Sequence, residues 1–259
     1  MLRRKLLTGA AAAALTANVS FQAFARERKT LIVGMDAAYP PFGFQNSKAG
    51  TSYVGFDVDV IRAIGKAEGF AVDIRNMAFD GLIPALKTGN IDIAINDITV
   101  TPERQKSVDF SDRYYIAGLG VVVAAGNNTI KTAKDLEGRK LAASIGSTGE
   151  IAAKAIKGAD VRIFNQLNEC FLELRNGGVE AVVNDIPTND YYVANAGRGR
   201  VKSLAVALTA EDLAIAVKKG NTDLLARVNR GLRTIKRNGE FAVIYKKWFG
   251  KEPPKALFE

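Results

Sequence analysis

The chain has 259 residues, with 36 Lys or Arg against 27 Asp or Glu and no histidine, for a formal net charge of +9. Without histidine there can be no Ser-His-Asp triad, no imidazole base and no histidine metal ligand, which removes most hydrolase mechanisms. The cations are spread along the chain with no dense Lys/Arg block, so the excess reads as a solvated surface and not as a nucleic-acid footprint.

From the N-terminus, Arg3, Arg4 and Lys5 precede an Ala-rich apolar stretch from Leu6 to Val19, and Ala23-Phe24-Ala25 supplies a small-x-small cleavage pattern. This is the pattern of an export signal, and the apolar run is too short for a membrane span of ~20 residues. General secretion fits it better than the twin-arginine route that Arg3-Arg4 suggests. Cleavage after Ala25 leaves 234 residues, enough for one large domain or two lobes.

Beyond the signal, strand and helix patterns alternate. Strands are expected at 31–35, 71–75 and 91–95, and helices at 57–67 and 81–87, which is the βαβαβ order of a largely parallel sheet with helices on its faces. A second round follows, with strands at 141–144, 161–164 and 179–183 and helices at 148–156, 166–175 and 187–194. A strand at 213–217 and helices at 222–237 and 240–249 close the chain. Two similar rounds predict two α/β lobes. The last segment is too short to form a lobe alone and is expected to return to the first. Crossings near 114–118 and 209–212 would form a two-segment hinge, placing lobe 1 at 26–116 plus 212–259 and lobe 2 at 117–211. A hinge between α/β lobes leaves a cleft at the strand ends. Cys170, the single cysteine, falls in the 166–175 helical pattern and reads as a small buried apolar residue, not a nucleophile.

The stretches DAAYPPFGF (36–44), VGFDVDV (54–60), MAFDGLIPALKTGNIDIAI (77–95), DITVTPERQKSVDFSDRYY (97–115) and YKKWFG (245–250) occur in that order. Together they closely resemble the polar amino-acid-binding proteins of bacterial ABC importers, the family 3 periplasmic solute-binding proteins. The resemblance covers nearly all of the expected mature chain. It implies a two-lobed periplasmic-binding-protein fold of type II, closing around one amino acid in the periplasm. It also implies delivery to a membrane permease, with no cofactor or metal, and a monomeric state.

An amino-acid ligand presents a carboxylate, an ammonium and a side chain, and each needs a partner once water is expelled. By the resemblance, Arg104 of Thr101-Pro102-Glu103-Arg104 meets the carboxylate with paired hydrogen bonds that a lysine could not reproduce. Read alone, Arg104 could equally pair with Glu103 or Asp109. Thr99 matches a hydroxyl residue that contacts the α-groups. Thr148, in Gly146-Ser147-Thr148 at a helix start, matches a turn that receives the same carboxylate on backbone N–H groups. Asp185 matches the acidic residue for the α-ammonium, and as a residue before Pro187 it could also be a helix cap. Asp36, Tyr39 and Phe79 match the side-chain pocket, the two aromatics enclosing the ligand side chain and Asp36 waiting at its far end. Ser144 lies where relatives vary with specificity.

Asp97 departs from the Gly or Ser that many relatives carry. Asp97-Ile98-Thr99 resembles the arginine-binding branch, whose strand ends Met-Asp-Ile-Thr before Pro-Glu-Arg, with Asn96 here in place of the Met. Two cleft carboxylates, Asp36 and Asp97, favour a cationic side chain, so arginine leads, with lysine, ornithine, histidine or glutamine behind. The alternative is that Asp97 caps the helix beginning near Thr101. Two further functions are open. One is a cyclohexadienyl dehydratase-like enzyme on the same fold, whose added acidic catalyst would fall where this chain has Thr188-Asn189. The other is a ligand-sensing module, whose usual continuation into a membrane span or signalling domain does not follow Glu259.

Overall fold

The computed structural model describes residues 30–45 and 52–259. The expected export signal lies outside the described residues. Two five-stranded sheets share one topology. In the first, strands run in the order Ala71–Asn76, Thr30–Met35, Ile93–Ala94, Ala216–Lys218, Val108–Phe110. The first three are parallel, and Ala216–Lys218 lies antiparallel between its two neighbours. In the second, the order is Asp160–Phe164, Lys140–Ser144, Ala181–Asp185, Leu119–Ala124, Val201–Leu204. Again the fourth strand, Leu119–Ala124, is antiparallel to both neighbours.

The two antiparallel strands come from the two crossings. Tyr115–Ala117 and Glu211–Leu213 pair antiparallel, with Glu211 opposite Ala117. Each then runs on into a sheet, Leu119–Ala124 in the second and Ala216–Lys218 in the first. The two crossings therefore form a short ribbon between the lobes. Gly118 permits the close approach, because a Cβ there would lie 2.3 Å from the Thr209 carbonyl oxygen.

Leu119–Ala124 reads LGVVVA, apolar on both faces, as a strand covered on both sides must be. Val121 and Val123 pack in one cluster with Leu141, Ala153 and Val183. Val122 packs in another with Cys170, Phe171 and Val182. Cys170 is fully buried, and burial pushes its thiol up to about 12, so it is an inert core residue. In the first lobe the Phe56–Glu68 helix packs beneath Thr222–Arg237 and Glu240–Phe249. Its Phe56 ring meets Tyr115, Tyr245 and Phe249 at centroid distances of 5.9, 5.7 and 4.9 Å, fixing the lobe against the hinge.

The expected helices form within a residue or two of their predicted limits, and three of the expected strands differ. The strand expected at 213–217 is two strands, Glu211–Leu213 in the hinge and Ala216–Lys218 in the first sheet. The strand expected at 179–183 is Ala181–Asp185, so Asn184 and Asp185 belong to the strand instead of following it. The strand expected at 91–95 shortens to Ile93–Ala94. Strands Val108–Phe110, Leu119–Ala124 and Val201–Leu204, and the small sheet of Ala38–Tyr39, Gly43–Gln45 and Tyr53–Val54, were not foreseen.

Candidate functional site

The parallel strands of both sheets point their C-terminal ends at one cleft, the place where open α/β sheets collect ligand contacts. Asp36 follows Thr30–Met35, Asp97 and Thr99 follow Ile93–Ala94, Ser144 ends Lys140–Ser144, and Asp185 ends Ala181–Asp185. Asp36, Tyr39, Phe79, Asp97, Thr99, Arg104, Ser144, Thr148 and Asp185 all line that single cleft, together with Ser147, Asn165, Leu167 and Asn184.

Arg104 sits in the Pro102–Ser107 helix, begun by Thr101, whose hydroxyl accepts from the Arg104 N–H at 3.1 Å, with proline in the first turn. The guanidinium donates to the Thr99 carbonyl at 2.8 Å and, across the cleft, to the Gly146 carbonyl at 3.0 Å. It lies 5.4 Å from the centre of the Phe79 ring. It pairs with neither Glu103 nor Asp109, which take Lys106 and Lys219 instead. Phe79 thus supports the guanidinium from one side.

The two alternatives that made Asp97 and Asp185 helix caps fail for stated reasons. Thr101 itself caps the Pro102–Ser107 helix, and both carboxylate oxygens of Asp97 are buried without a hydrogen-bond partner. Asp185 precedes the Ile186–Ala194 helix but makes no side-chain cap bond. Asp97 is also the only non-glycine residue with positive φ among those described, at 53°. Its left-handed turn explains why a small residue suits this position. The buried Asp57 holds the turn by accepting from the Asp97 N–H at 2.9 Å.

Tyr39 lines the cleft with Phe79 and also bridges the lobes through its hydroxyl. Its hydroxyl crosses to the second lobe and donates to Asn184 Oδ1 at 2.7 Å and Asp185 Oδ2 at 3.1 Å. If Asp185 receives the α-ammonium, as the resemblance implies, this bond ends on a group that every amino acid shares, and Tyr39→Phe is expected to weaken all of them alike, by about 1 kcal/mol. Calorimetry with three dissimilar amino acids checks this, and a change confined to one of them would return Tyr39 to the side-chain pocket. Asp36 is tied in a local turn by accepting from the Ala38 N–H at 3.0 Å, while its own N–H donates to Asn96 Oδ1.

Thr148 opens the Thr148–Ala155 helix, and Ser147 is the cap, accepting from Glu150 N–H at 3.0 Å. The Thr148 hydroxyl donates to Glu211 Oε2 at 2.9 Å, and the Thr99 hydroxyl donates to the same oxygen at 2.6 Å. Sequence reasoning missed Glu211 entirely. A lone acid in a crossing segment carries no signal, and only the fold brings it to the threonines.

The site is crowded with acids whose burial favours their protonated forms. Burial pushes the Asp185 carboxyl up to about 7, the charge of Glu211 adding to it. Asp97 is driven well above the ordinary carboxylate range by burial first, then by Asp185, Asp57 and Glu211. Burial raises Asp57 to about 7, against the lowering effect of the bond it accepts from the Asp97 N–H. An acid whose folded pKa is raised binds more protons folded than unfolded between its two pKa values, so stability falls as pH rises across that interval. For Asp57 and Asp185 the interval runs from 3.8 to about 7. Asp109, Asp135 and Glu150 shift the opposite way, and their effect lies below the same interval's upper half. The melting temperature without ligand is therefore expected to be higher at pH 5 than at pH 8. A scanning calorimetry series showing a rise across that range would contradict the buried-acid assignment.

Comparison with known proteins gives the same frame. The model of the bacterial extracellular solute-binding proteins, family 3, matches residues 31–251. The L-cystine-binding protein TcyJ of Escherichia coli (strain K12) is 33% identical over 98% of both chains. The arginine-binding extracellular protein ArtP of Bacillus subtilis (strain 168) is 34% identical over 87% of this chain and 88% of its own. Among solved structures, an ancestral arginine-binding protein bound to arginine is 43% identical, with a TM-score of 0.82 over 86% of this chain and 99% of that one. With two lobes of one topology, a cleft at their strand ends and a family model spanning both, the chain belongs to the bacterial extracellular solute-binding proteins, family 3.

Proposed function

We propose that this protein is the periplasmic binding component of an amino-acid ABC importer, acting as a monomer. It closes its lobes on one amino acid and delivers it to a membrane permease. Arginine is the favoured ligand, ahead of lysine, ornithine, histidine and glutamine. One observation carries the choice: among the described residues, Arg104 is the only cation lining a cleft also lined by Asp36, Asp97 and Asp185, with Glu211 beside it. Buried carboxylates without partners cost several kcal/mol or take up protons. Arginine brings one carboxylate for Arg104 and two cationic groups for the acids, whereas a neutral amino acid brings only one. L-Cystine, which the TcyJ relative is named for, would bring a second carboxylate with no second guanidinium to meet it.

Binding without conversion is part of the proposal. The position that would hold a dehydratase's acid carries Thr188 and Asn189, both buried away from the cleft lining, and Asn189 donates to the Asn184 carbonyl. Prephenate and arogenate incubated with the protein are expected to give no aromatic product.

A thermal-shift screen of the twenty amino acids with ornithine, citrulline and cystine tests the ligand class. A ligand at a thousandfold excess over its Kd stabilises by about 4 kcal/mol. Arginine is expected to give the largest shift, and a larger one with a neutral amino acid or cystine would overturn the basic-ligand reading.

A further inference from the structure

Glu211 lies on the Glu211–Leu213 hinge strand and outside the lining of the ligand cleft, yet three hydroxyls converge on its buried carboxylate. Thr99 Oγ1 donates to Oε2 at 2.6 Å, Thr148 Oγ1 donates to Oε2 at 2.9 Å, and Thr209 Oγ1 donates to Oε1 at 2.9 Å. Thr99 belongs to the first lobe, Thr148 to the second and Thr209 to the second crossing, so one oxygen atom ties both cleft walls to the hinge. Thr209 is in turn fixed by accepting from the Leu119 N–H at 3.1 Å, where the first crossing enters the second sheet. The two cleft threonines stand 3.4 Å apart, oxygen to oxygen.

We propose that Glu211 is a positioning residue for ligand capture, holding Thr99 and Thr148 together across the cleft and drawing the lobes shut through the hinge. A hydroxyl has one proton to give. With both protons directed at Glu211, Thr99 and Thr148 turn their lone pairs to the cleft and offer acceptors to an ammonium. The ligand's carboxylate is left to Arg104 and to the backbone N–H groups where the Thr148–Ala155 helix begins. A threonine pair bound to one carboxylate also favours the closed arrangement before any ligand arrives, and a receptor already biased toward its binding state binds more tightly. The ligand's identity here rests on the amino-acid reading above, whereas the bonds to Glu211 do not.

Small-angle X-ray scattering of the exported protein without added amino acid is the first test. The radius of gyration is expected to be largest in Glu211→Ala, intermediate in Glu211→Gln, which keeps one acceptor oxygen, and smallest in the unaltered protein. Equal radii in all three, each with native circular dichroism, would overturn the proposal. Should Glu211→Ala not fold, Glu211→Gln and Thr148→Val carry the same comparison. Arginine titration is the second test, with affinity expected to fall at least tenfold in Glu211→Gln while saturating arginine returns the variants to one radius. A fall in affinity with no change in the ligand-free radius would also overturn the proposal, leaving Glu211 only a charge near the site. If the unaltered protein binds no arginine but the radii still differ, the positioning role is supported and the basic-ligand reading falls.

Discussion

Arg104→Ala is expected to abolish measurable binding of every amino acid, a loss of about 2–5 kcal/mol, because one partner of a desolvated charge pair is removed and the other stays buried. Among the described residues Arg104 is the only cation lining the cleft, and its guanidinium already spans the two lobes from the Thr99 carbonyl to the Gly146 carbonyl. Arg104→Lys is expected to recover only part of the loss, since an ammonium is a point charge that cannot form two parallel bonds to a carboxylate. Calorimetry with arginine, glutamine and alanine reads the effect. If all three bind Arg104→Ala as they bind the unaltered protein, the residue has no place in the site.

The second large effect concerns Asp97, and it has two opposite signs. Asp97→Gly removes a carboxylate with two buried, unpartnered oxygens and puts glycine where φ is 53°. Relief of left-handed backbone strain, on the order of 1 kcal/mol, is expected to raise the melting temperature of the ligand-free protein by roughly 2–4 °C. The same change takes from the cleft a carboxyl group that would ionise against an entering guanidinium. Arginine affinity is expected to fall at least tenfold, about 1.4 kcal/mol, and the gap to glutamine to narrow. Greater stability with an unchanged arginine-to-glutamine ratio would sink the basic-ligand reading while leaving the backbone argument standing. A loss of stability would contradict the backbone argument and leave the ligand reading to the affinity ratio.

Much of this protein was determined by its sequence alone. Apolar spacing at Val60, Ile61 and Ile64 places the Phe56–Glu68 helix, and such short-range signals suffice because helix contacts lie within a few residues. The order of motifs from DAAYPPFGF to YKKWFG picked out the nine residues that share the cleft, since each sits beside a strand end or helix start marked locally. What the tertiary structure decided depends on partners far apart in the chain. Ile93–Ala94 is a strand only because Thr30–Met35 and Ala216–Lys218 flank it, and two residues carry no period of their own. Whether Asp97 capped a helix or faced the cleft turned on which side chain reached the Arg104 N–H, and Thr101 took it. Tyr39 reached Asp185 across 146 positions and Thr99 reached Glu211 across 112, contacts that exist only once two lobes close on a common hinge. A hydroxyl or carboxylate has no directional preference written in its neighbours, so its partner is chosen by the packing of the whole fold.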